Sequence, residues 1–488
     1  MAHKDLRDWI EQMEKIGELK RVNGADWNLE LTATGEMSPY AILFDDVVGY
    51  PKGYRVLTGM IKTVDRWLAT LGWDTKAREG ELARLWKERL KGSTPVPPKL
   101  VADGPIMENI MEGENIDVLK FPVPFMHPDD AGRYIGTSDA VIMRDPDNDR
   151  VNFGVYRLQV HDKSTLGVYI ANGKDGAIIK QKYHSQGKPC PVVAVVGVEP
   201  LLFFVSFAHI SNPENTSEYD FAGWLKGEPI EVINGIDGLP IPARAEVAIE
   251  GEIPPNELRE EALFGEWTGY GKSSPSNIIK VKRILYRNDP ILTSQSPAAP
   301  SRPPAKGGLV GDPRISGLLW DQMEKAGARG IKSVAVYMAR FLQVISIKNS
   351  YAGHVRQIGH LATHCHAGAF MGRYTIVVDE EIDPYNLDQV MWAVARWADP
   401  QRTIDIVRYC WTDRMDCGMH PWDLEISSQP SAPVYNSRAV IDACRPIEWG
   451  PDYHRPVVYP RELQERIASK WGDIIFKDQE PSSLAWLI

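Results

Sequence analysis

The sequence predicts a mixed α/β protein of two or three domains, and three observations support this. The chain has 488 residues, of which 43% are hydrophobic, so it is too long for one ordinary core and well supplied with apolar side chains. Short β-like runs separated by turn residues fill its middle, from about residue 115 to residue 292. Beyond about residue 312, strand-like and helical patterns alternate, as is typical of an α/β layer domain with a partly parallel sheet.

Residues 1–100 predict a small α/β region. Apolar residues recur at helical spacing from Leu6 to Ile16, so an amphipathic helix should end near Gly17. The next elements in the chain are the short apolar runs 41–44 and 56–57 and the helical patterns 64–71 and 82–90. Turn-forming residues at 92–98 end the last helix, which places a boundary near residue 100.

Residues 101–296 predict a mainly antiparallel or barrel-like domain. Its β-like runs are 138–143, 150–160, 192–198, 203–207, 245–253 and 278–286. The loop from Asp145 to Asp149 is a strong hairpin signal because Asp, Pro and Asn favour turns. Proline cannot continue a helix or a central strand, so the Pro-rich stretch 297–312 is predicted to be a linker.

Residues 313–450 predict the C-terminal α/β domain, and residues 451–488 predict a tail with one amphipathic helix at 463–474. The predicted elements of the domain are a helix through 315–323, strands at 331–337 and 342–347, a helix at 352–366, a strand at 374–378, a helix at 387–394 and a strand at 404–407. Alternation of this kind predicts strands covered by helices.

Composition and charge exclude several classes of function. Lys and Arg total 55 against 65 for Asp and Glu, which disfavours a nucleic-acid-binding protein because such proteins carry a basic stripe. No stretch approaches the ~18 apolar residues of a membrane span, and residues 1–22 contain no apolar h-region, so we expect neither membrane insertion nor secretion. Five scattered cysteines without a CxxC pair indicate neither a disulfide framework nor a thiolate zinc site. We therefore expect a cytoplasmic enzyme.

Three histidines, His360, His364 and His366, form one candidate metal site. His360 and His364 are four residues apart and would share a helix face, which suits zinc and predicts a zinc-dependent hydrolase as an alternative function. The glutamate of an HExxH motif is absent between them, so a helix of structural or interface histidines is the other interpretation.

Glu261 and Glu266 form a second candidate site. On a helix two acids five residues apart would diverge by about 140°, but the apolar pair and Gly265 between them favour a turn that brings both toward one site. Burial beside apolar groups raises the pKa of a carboxyl toward the range useful for proton transfer near neutral pH. The alternative is a pair of surface acids around one buried Phe264.

Asn152 and Arg157 lie in one strand-like run. Strict alternation places them on opposite faces, so a shared site requires a bulge or break, most easily at Gly154. Arg157 in an apolar strand needs a partner, either an anionic ligand or a structural ion pair. Further on, Thr216 or Ser217 is predicted to cap a helix whose first turn holds Glu218.

Together these last motifs resemble the UbiD family of decarboxylases. The match is carried by residues 152–159, 217–223 and 261–270, and it is reinforced by 377–383, 392–393 and 437–443. The resemblance spans nearly the whole chain in the family's order. It implies an N-terminal α/β region, a split β-barrel flavin-binding domain and a C-terminal α/β domain for oligomerisation, with the active site between the last two and a hinge at the linker that could gate it.

The resemblance implies a reversible non-oxidative decarboxylase of an aromatic or heteroaromatic carboxylic acid. Breaking a bond between an sp² carbon and a carboxylate leaves charge that side chains alone cannot accept, and prenylated FMN supplies the electron sink. Mn²⁺ or Mg²⁺ accompanies this cofactor in family members, often with K⁺, and a flavin prenyltransferase must provide the cofactor. The implied assembly is a homodimer or homohexamer. A non-catalytic flavin-binding protein with the same fold is a further alternative.

The resemblance also implies roles for individual residues. Arg157, Glu261 and Glu266 match the family's Glu–Arg–Glu network, with Glu266 as the proton donor. Asn152 and Glu218 match metal ligands. The matched cofactor contacts are Asn152, Val155, Tyr156, Arg157, Tyr169, Ile170, Ala171, Lys174, Asp175 and Glu218. Some members add a histidine metal ligand after the arginine strand, but residues 172–175 contain none, so Asp175 or water would have to substitute.

Overall fold

A computed structural model describes residues 3–73, 77, 79–207, 216–261, 263–266, 274–295, 311–337, 340–420, 422–423, 434–450 and 459–475. Most of the predicted linker 297–312, the motif residues 267–270 and much of the predicted tail 451–488 lie outside this part of the chain.

The N-terminal region combines four helices with a four-stranded sheet. The helices are α1 (Leu6–Lys15), α2 (Glu30–Met37), α3 (Val64–Leu71) and α4 (Glu79–Leu90). The strands are β1 (Leu19–Ala25), β2 (Ala41–Val47), β3 (Arg55–Thr58) and the much later β17 (Ile291–Ser294), which pairs in parallel with β3. The predicted first helix is confirmed, and Asp5 caps it by accepting the Asp8 N–H at 3.0 Å. Because β17 belongs to this sheet, the chain returns to the N-terminal region after completing the barrel.

The middle of the chain forms a curled antiparallel sheet, which confirms the predicted barrel-like domain. Its strands, in spatial order, are β6 (Tyr134–Gly136), β9 (Leu158–Asp162), β10 (Thr165–Val168), β16 (Ser274–Tyr286), β14 (Val247–Ile253), β11 (Cys190–Val196), β7 (Asp139–Arg144) and β8 (Val151–Gly154), with β5 (Asn109–Glu112) and β15 (Leu258–Glu261) also paired to β16. A small sheet of β4 (Lys99–Leu100), β12 (Glu231–Asn234) and β13 (Pro240–Pro242) lies apart from it. The helices of this domain are α5 (Asp175–Ser185), α6 (Pro200–Ser206) and α7 (Glu218–Lys226).

Two details of the barrel domain differ from a simple strand pattern. The run 150–160 is broken into β8 and β9, with Val155, Tyr156 and Arg157 between them, as the shared-site argument required. The strand predicted at 203–207 is wrong, because this segment belongs largely to helix α6. Every residue of α6 is buried, and a continuous apolar run cannot by itself distinguish a buried helix from a buried strand.

The C-terminal domain is the predicted α/β layer with a partly parallel sheet. Its five strands run in the order β18 (Ile331–Tyr337), β19 (Leu342–Ile347), β20 (Tyr374–Asp379), β22 (Tyr435–Ala443) and β21 (Ile404–Trp411). The pairs β19–β20 and β20–β22 are parallel, and the outer pairs are antiparallel. The helices are α8 (Pro313–Lys325), α9 (His354–His364), α10 (His366–Ala369), α11 (Leu387–Trp397) and α12 (Arg461–Ile475).

Tight packing joins the N-terminal region to the C-terminal domain. A Cβ on Gly317 of α8 would lie 2.5 Å from the carbonyl oxygen of Ala83 in α4, so only glycine allows the two helices to approach this closely. Beside this contact, the rings of Trp67 and Trp86 both meet Phe204 edge-on, with centroids 5.1 and 5.3 Å away. The N-terminal region thereby contacts both the C-terminal domain, through α8, and the barrel domain, through α6.

Two smaller observations bear on the sequence predictions. Among the described helices, none has the length and apolar character needed to cross a membrane. All five cysteines lie in the described part of the chain and are free, as their scatter predicted.

Candidate active site

The break between β8 and β9 brings Arg157 to two buried acids. Its Nε lies 2.7 Å from Glu261 Oε1 and its Nη2 lies 3.0 Å from Glu261 Oε2, while Nη1 contacts Glu266 Oε1. Glu261 is the last residue of β15, and Glu266 follows the turn after it. The acids are only 1% and 8% exposed, so the alternative of two surface carboxylates is wrong. The three residues predicted to act together therefore do meet.

Aromatic groups enclose the guanidinium of Arg157. Its Cζ lies 4.2 Å from the ring centroid of Tyr169 and 4.8 Å from that of Phe264, distances at which cation–π attraction operates. Burial alone would lower the pKa of Arg157, but the charge and hydrogen bonds of Glu261 outweigh it, so the pKa lies above its ordinary value. Tyr134, which the sequence did not single out, donates its hydroxyl to Glu261 Oε1 at 3.2 Å.

A cavity of about 670 Å³ lies where the barrel meets the C-terminal domain. Tyr169 and Ile170 line it from the barrel side, and Asp413 and Arg414 line it from the C-terminal domain. Tyr169 donates its hydroxyl to Asp413 Oδ1 at 3.0 Å, so one side chain connects Arg157 with the opposite domain. The volume falls within the ~300–1,000 Å³ typical of pockets for small ligands and cofactors.

Asn152 and Glu218 lie together although 66 residues separate them in the chain. Ser217 caps α7 in a capping box with Asp220, which fixes Glu218 in the first turn as predicted. Glu218 Oε2 accepts the N–H of Phe153, the residue after Asn152, at 2.9 Å. Burial raises the pKa of Glu218 to about 7. Asn152 is 3% exposed, and its side-chain nitrogen has no hydrogen bond of normal geometry to any described residue, although its side chain lies beside the Tyr156 hydroxyl.

The other predicted cofactor residues lie after strands β8 and β10 and at the start of helix α5. Tyr156 accepts the N–H of Gly176 at 3.1 Å, and burial raises its pKa to about 12. Asp175 opens helix α5 and pairs with Arg150 at 3.2 Å, with about half of its side chain exposed. The other predicted contacts follow β8 or β10, namely Val155, Ile170 and Ala171.

Two buried cations lie close to the same region. Burial lowers the pKa of Lys174 to about 7, and its ammonium lies 3.9 Å from the ring centroid of Phe370. Burial also lowers the pKa of Arg340 to about 10. Among the described residues, neither Lys174 nor Arg340 forms an ion pair with a carboxylate within 4 Å. Within the described part of the chain, a buried amide nitrogen without a normal hydrogen bond, a buried acid and two cations without an ion pair together fit a phosphate group with a divalent cation.

The histidines do not form the alternative zinc site. His360 Nε2 lies 3.2 Å from Asp405 Oδ2, and His364 Nδ1 lies 2.9 Å from the carbonyl oxygen of His360. Burial, together with the nearby cations, lowers the pKa of His366. Within the described ranges, no group of three or more His, Cys, Asp or Glu side chains is arranged to hold a metal ion. Nothing in this arrangement therefore favours the hydrolase hypothesis.

Family models cover most of the chain. The N-terminal, Rift-related and C-terminal domains of 3-octaprenyl-4-hydroxybenzoate carboxy-lyase, UbiD, match residues 10–86, 99–300 and 310–443. A phenolic acid decarboxylase of Bacillus subtilis is 30% identical over 95% of this chain and 98% of its own. The chain therefore belongs to the UbiD family of carboxy-lyases.

Solved structures agree with this assignment. Vanillic acid decarboxylase of Sedimentibacter hydroxybenzoicus in its closed form is 26% identical, with a TM-score of 0.84 over 97% of this chain and 99% of its own; the open form gives 0.78 over 98% and 100%. The UbiD-class enzyme HmfF of Pelotomaculum thermopropionicum in complex with prenylated FMN is 25% identical, with a TM-score of 0.76 over 95% and 98%. The predicted fold class is thus confirmed.

Proposed function

We propose that this carboxy-lyase decarboxylates an aromatic carboxylic acid reversibly and without oxidation, using prenylated FMN. The observation that carries the proposal is the buried contact of Arg157 with both Glu261 and Glu266. The cavity lined by Tyr169, at about 670 Å³, has room for a small ligand, and the Tyr169 ring connects its wall to Arg157. Similarity to an enzyme solved with prenylated FMN supports the choice of cofactor.

We propose that Asn152 and Glu218 would hold a divalent cation, Mn²⁺ or Mg²⁺, which would supply positive charge to neutralise the cofactor phosphate. Amide and carboxylate oxygens are the hard donors that these ions prefer. A cation would stabilise the charged form of Glu218 and would bind the Asn152 amide oxygen. The Asn152 amide nitrogen, which has no hydrogen bond of normal geometry to any described residue, would be free to donate to a phosphate oxygen. Lys174 and Arg340 would add positive charge near the phosphate. K⁺ is a further candidate for the same region.

When bound, prenylated FMN supplies the electron sink that cleavage at an sp² carbon requires. In the proposed mechanism, Glu261 fixes Arg157 through two hydrogen bonds, and Arg157 in turn fixes the carboxyl of Glu266. Glu266 then donates one proton to the ring carbon that has lost CO₂. In the carboxylation direction, Glu266 takes the proton back from that carbon.

Apolar packing around the network supports proton transfer from a side chain rather than from water. Met126, Tyr134 and Phe264 form a small buried cluster, and the rings of Tyr134 and Phe264 lie 4.5 Å apart. Exclusion of water limits proton exchange with solvent and strengthens the charge interactions inside the site. Glu266 is therefore suited to deliver its proton to the substrate carbon.

We propose a phenolic acid as the substrate class. Two relatives that match almost their full length, from Bacillus subtilis and Sedimentibacter hydroxybenzoicus, are phenolic acid decarboxylases at 30% and 28% identity. A heteroaromatic acid is the second candidate. The proposed network acts on the carbon that carries the carboxylate, so it does not by itself select between a phenolic and a heteroaromatic ring.

Self-association through the C-terminal domain is a further proposal. Strand β21 lies at the edge of its sheet and exposes Ile406 and Tyr409, and Tyr435 of the neighbouring strand is also exposed. An exposed apolar edge strand is prone to pair with another chain. We expect a homodimer or homohexamer, which light scattering during gel filtration would measure, and a cellular supply of cofactor from a flavin prenyltransferase.

The test of function is reconstitution with prenylated FMN and Mn²⁺, followed by a screen of phenolic and heteroaromatic acids for CO₂ release. We expect Glu266→Gln to abolish turnover while cofactor absorbance is retained, because the amide cannot donate the required proton. Glu257→Gln, an exposed acid paired with Lys280, serves as the matched control and should stay active. Full turnover in Glu266→Gln would refute the donor assignment, and absence of CO₂ release from every acid would refute the function.

A further inference from the structure

Residues 126–134 of the barrel domain pack against the turn that carries Glu266. The N–H of Ala131 donates to the carbonyl oxygen of Leu263 at 2.8 Å, and the N–H of Gly265 donates to Asp130 Oδ1 at 2.8 Å. The ring of Tyr134 packs on that of Phe264 in the same turn. The backbone of the turn is thus held at two points, one of which is the residue directly before Glu266.

Asp130 is itself held by a histidine between two carboxylates. His127 Nδ1 lies 3.2 Å from Asp130 Oδ2, and its Nε2 lies 3.2 Å from Glu36 Oε1 in helix α2 of the N-terminal region. Hydrogen bonds to Asp130 and Glu36 raise the pKa of His127 to about 9, so the ring is charged at neutral pH. This charge compensates the burial of Asp130, whose side chain is 1% exposed.

The His127 ring also limits where the turn can lie. A Cβ added to Gly265 would lie 2.4 Å from His127 Nδ1, so the ring packs directly against the glycine backbone and leaves no room for a side chain. A hydrogen bond to Asp130 therefore holds Gly265 in place, and the His127 ring prevents its backbone from moving closer. Both contacts act on Gly265, which sets the direction in which the chain enters Glu266.

We propose that Asp130 and His127, anchored to Glu36, are positioning residues for the proton donor Glu266. Asp130 accepts the Gly265 N–H, His127 contacts Asp130, and Glu36 contacts His127 from the N-terminal region. We call these three side chains the clamp. The inference rests on the proposed function, because it assigns the clamp a role in proton delivery. It extends that function to three residues that do not contact Arg157 in the described network.

The test compares Asp130→Ala with Asp130→Asn, which keeps an oxygen acceptor for Gly265, and with Asp129→Ala, an exposed neighbour. Residue-resolved hydrogen–deuterium exchange of the apoprotein should show the Gly265 amide exchanging about tenfold faster in Asp130→Ala, since one hydrogen bond is lost. In the reconstituted enzyme, kcat should fall about 100-fold with little change in KM, as expected for a displaced catalytic group. Asp130→Asn should restore most of the slow Gly265 exchange and most of kcat. Asp129→Ala should match the parent in both measurements.

Unchanged Gly265 exchange in Asp130→Ala, or an Asp130→Asn variant as impaired as the alanine variant, would overturn the inference. If Asp130→Ala does not fold, Glu36→Gln gives the second test, with kcat expected to fall about threefold because one anchor of His127 is weakened; an unchanged kcat there would count against the clamp. The exchange measurement needs no turnover. It therefore decides whether Asp130 holds the turn even if no acid is decarboxylated and the proposed function fails.

Discussion

The two halves of the candidate site differ in how their buried charges are compensated. Around Arg157, the guanidinium directly contacts the carboxyl groups of both Glu261 and Glu266. Around Asn152 and Glu218, a buried amide nitrogen has no hydrogen bond of normal geometry to a described residue, and burial raises the pKa of a carboxyl to about 7. With the proton on Glu266 that the proposed donor role requires, the first half is balanced in charge within the protein, whereas the second half has buried groups that a ligand would satisfy.

This difference indicates separate physical tasks. Charges that are fixed before the reaction need no reorganisation when charge develops on a substrate, which favours catalysis. Buried polar groups without partners cost about 1–3 kcal/mol each, and a bound ion or phosphate can offset that cost. A mutation in the first half should therefore weaken the fold itself, and a mutation in the second half should mainly weaken ligand binding.

The largest effect on stability is expected for Arg157→Met. Removal of the guanidinium leaves Glu261 and Glu266 buried without a cation, which should lower the free energy of unfolding of the apoprotein by about 3–5 kcal/mol. Urea unfolding measures this change. Arg259→Met, which removes an exposed partner of Asp162 at 3.3 Å, is the control and should cost less than about 1 kcal/mol. Similar losses in the two variants would mean that the network is not a preformed unit.

Glu218→Gln should have the opposite effect on the apoprotein. The amide avoids burial of a charge, so the free energy of unfolding should stay the same or rise by about 1–3 kcal/mol. The affinity for FMN in the presence of Mn²⁺ should fall at least tenfold because one metal ligand is lost. Quenching of flavin fluorescence on titration measures this affinity. Glu228→Gln, at an exposed position near the end of α7, should bind as the parent does. A destabilised apoprotein with normal binding would contradict the comparison.

Local pattern was sufficient to predict much of the fold and the identity of the central residues. Alternation around Gly154 required a broken strand, and the chain does break between β8 and β9. Ser217 and Glu218 formed a helix start by residue type alone, and the capping box is present. The pairing of Arg157 with acids more than a hundred residues away followed from the resemblance to a family, because no short-range rule relates such distant positions.

Other parts of the site depend on tertiary packing and gave no sequence signal. Tyr134 and Asp413 reach the network from a short strand and from a loop of the C-terminal domain, and neither lies in a recognisable motif. Asp130 acts on a backbone amide, a contact that any acid in a loop could make. Helix α6 was mistaken for a strand because burial on all sides removes the periodicity that distinguishes the two.

The smallest effect is expected where the network meets the C-terminal domain. Tyr169→Phe keeps the ring beside Arg157 but removes the hydroxyl that Asp413 accepts at 3.0 Å. Asp413 is buried and also accepts the N–H of Met415, so losing one hydrogen bond should cost about 1 kcal/mol.

Because the Tyr169 hydroxyl links the barrel to the opposite domain, its removal should favour a more open arrangement, seen as a larger radius of gyration in small-angle X-ray scattering. In the reconstituted enzyme KM should rise more than kcat falls, since the contacts of Arg157 with Glu261 and Glu266 are unchanged. Tyr374→Phe, at an exposed position of the same C-terminal domain, is the control. A loss of kcat as large as that expected for Glu266→Gln would show that Tyr169 belongs functionally to the preformed network and not to the contact between domains.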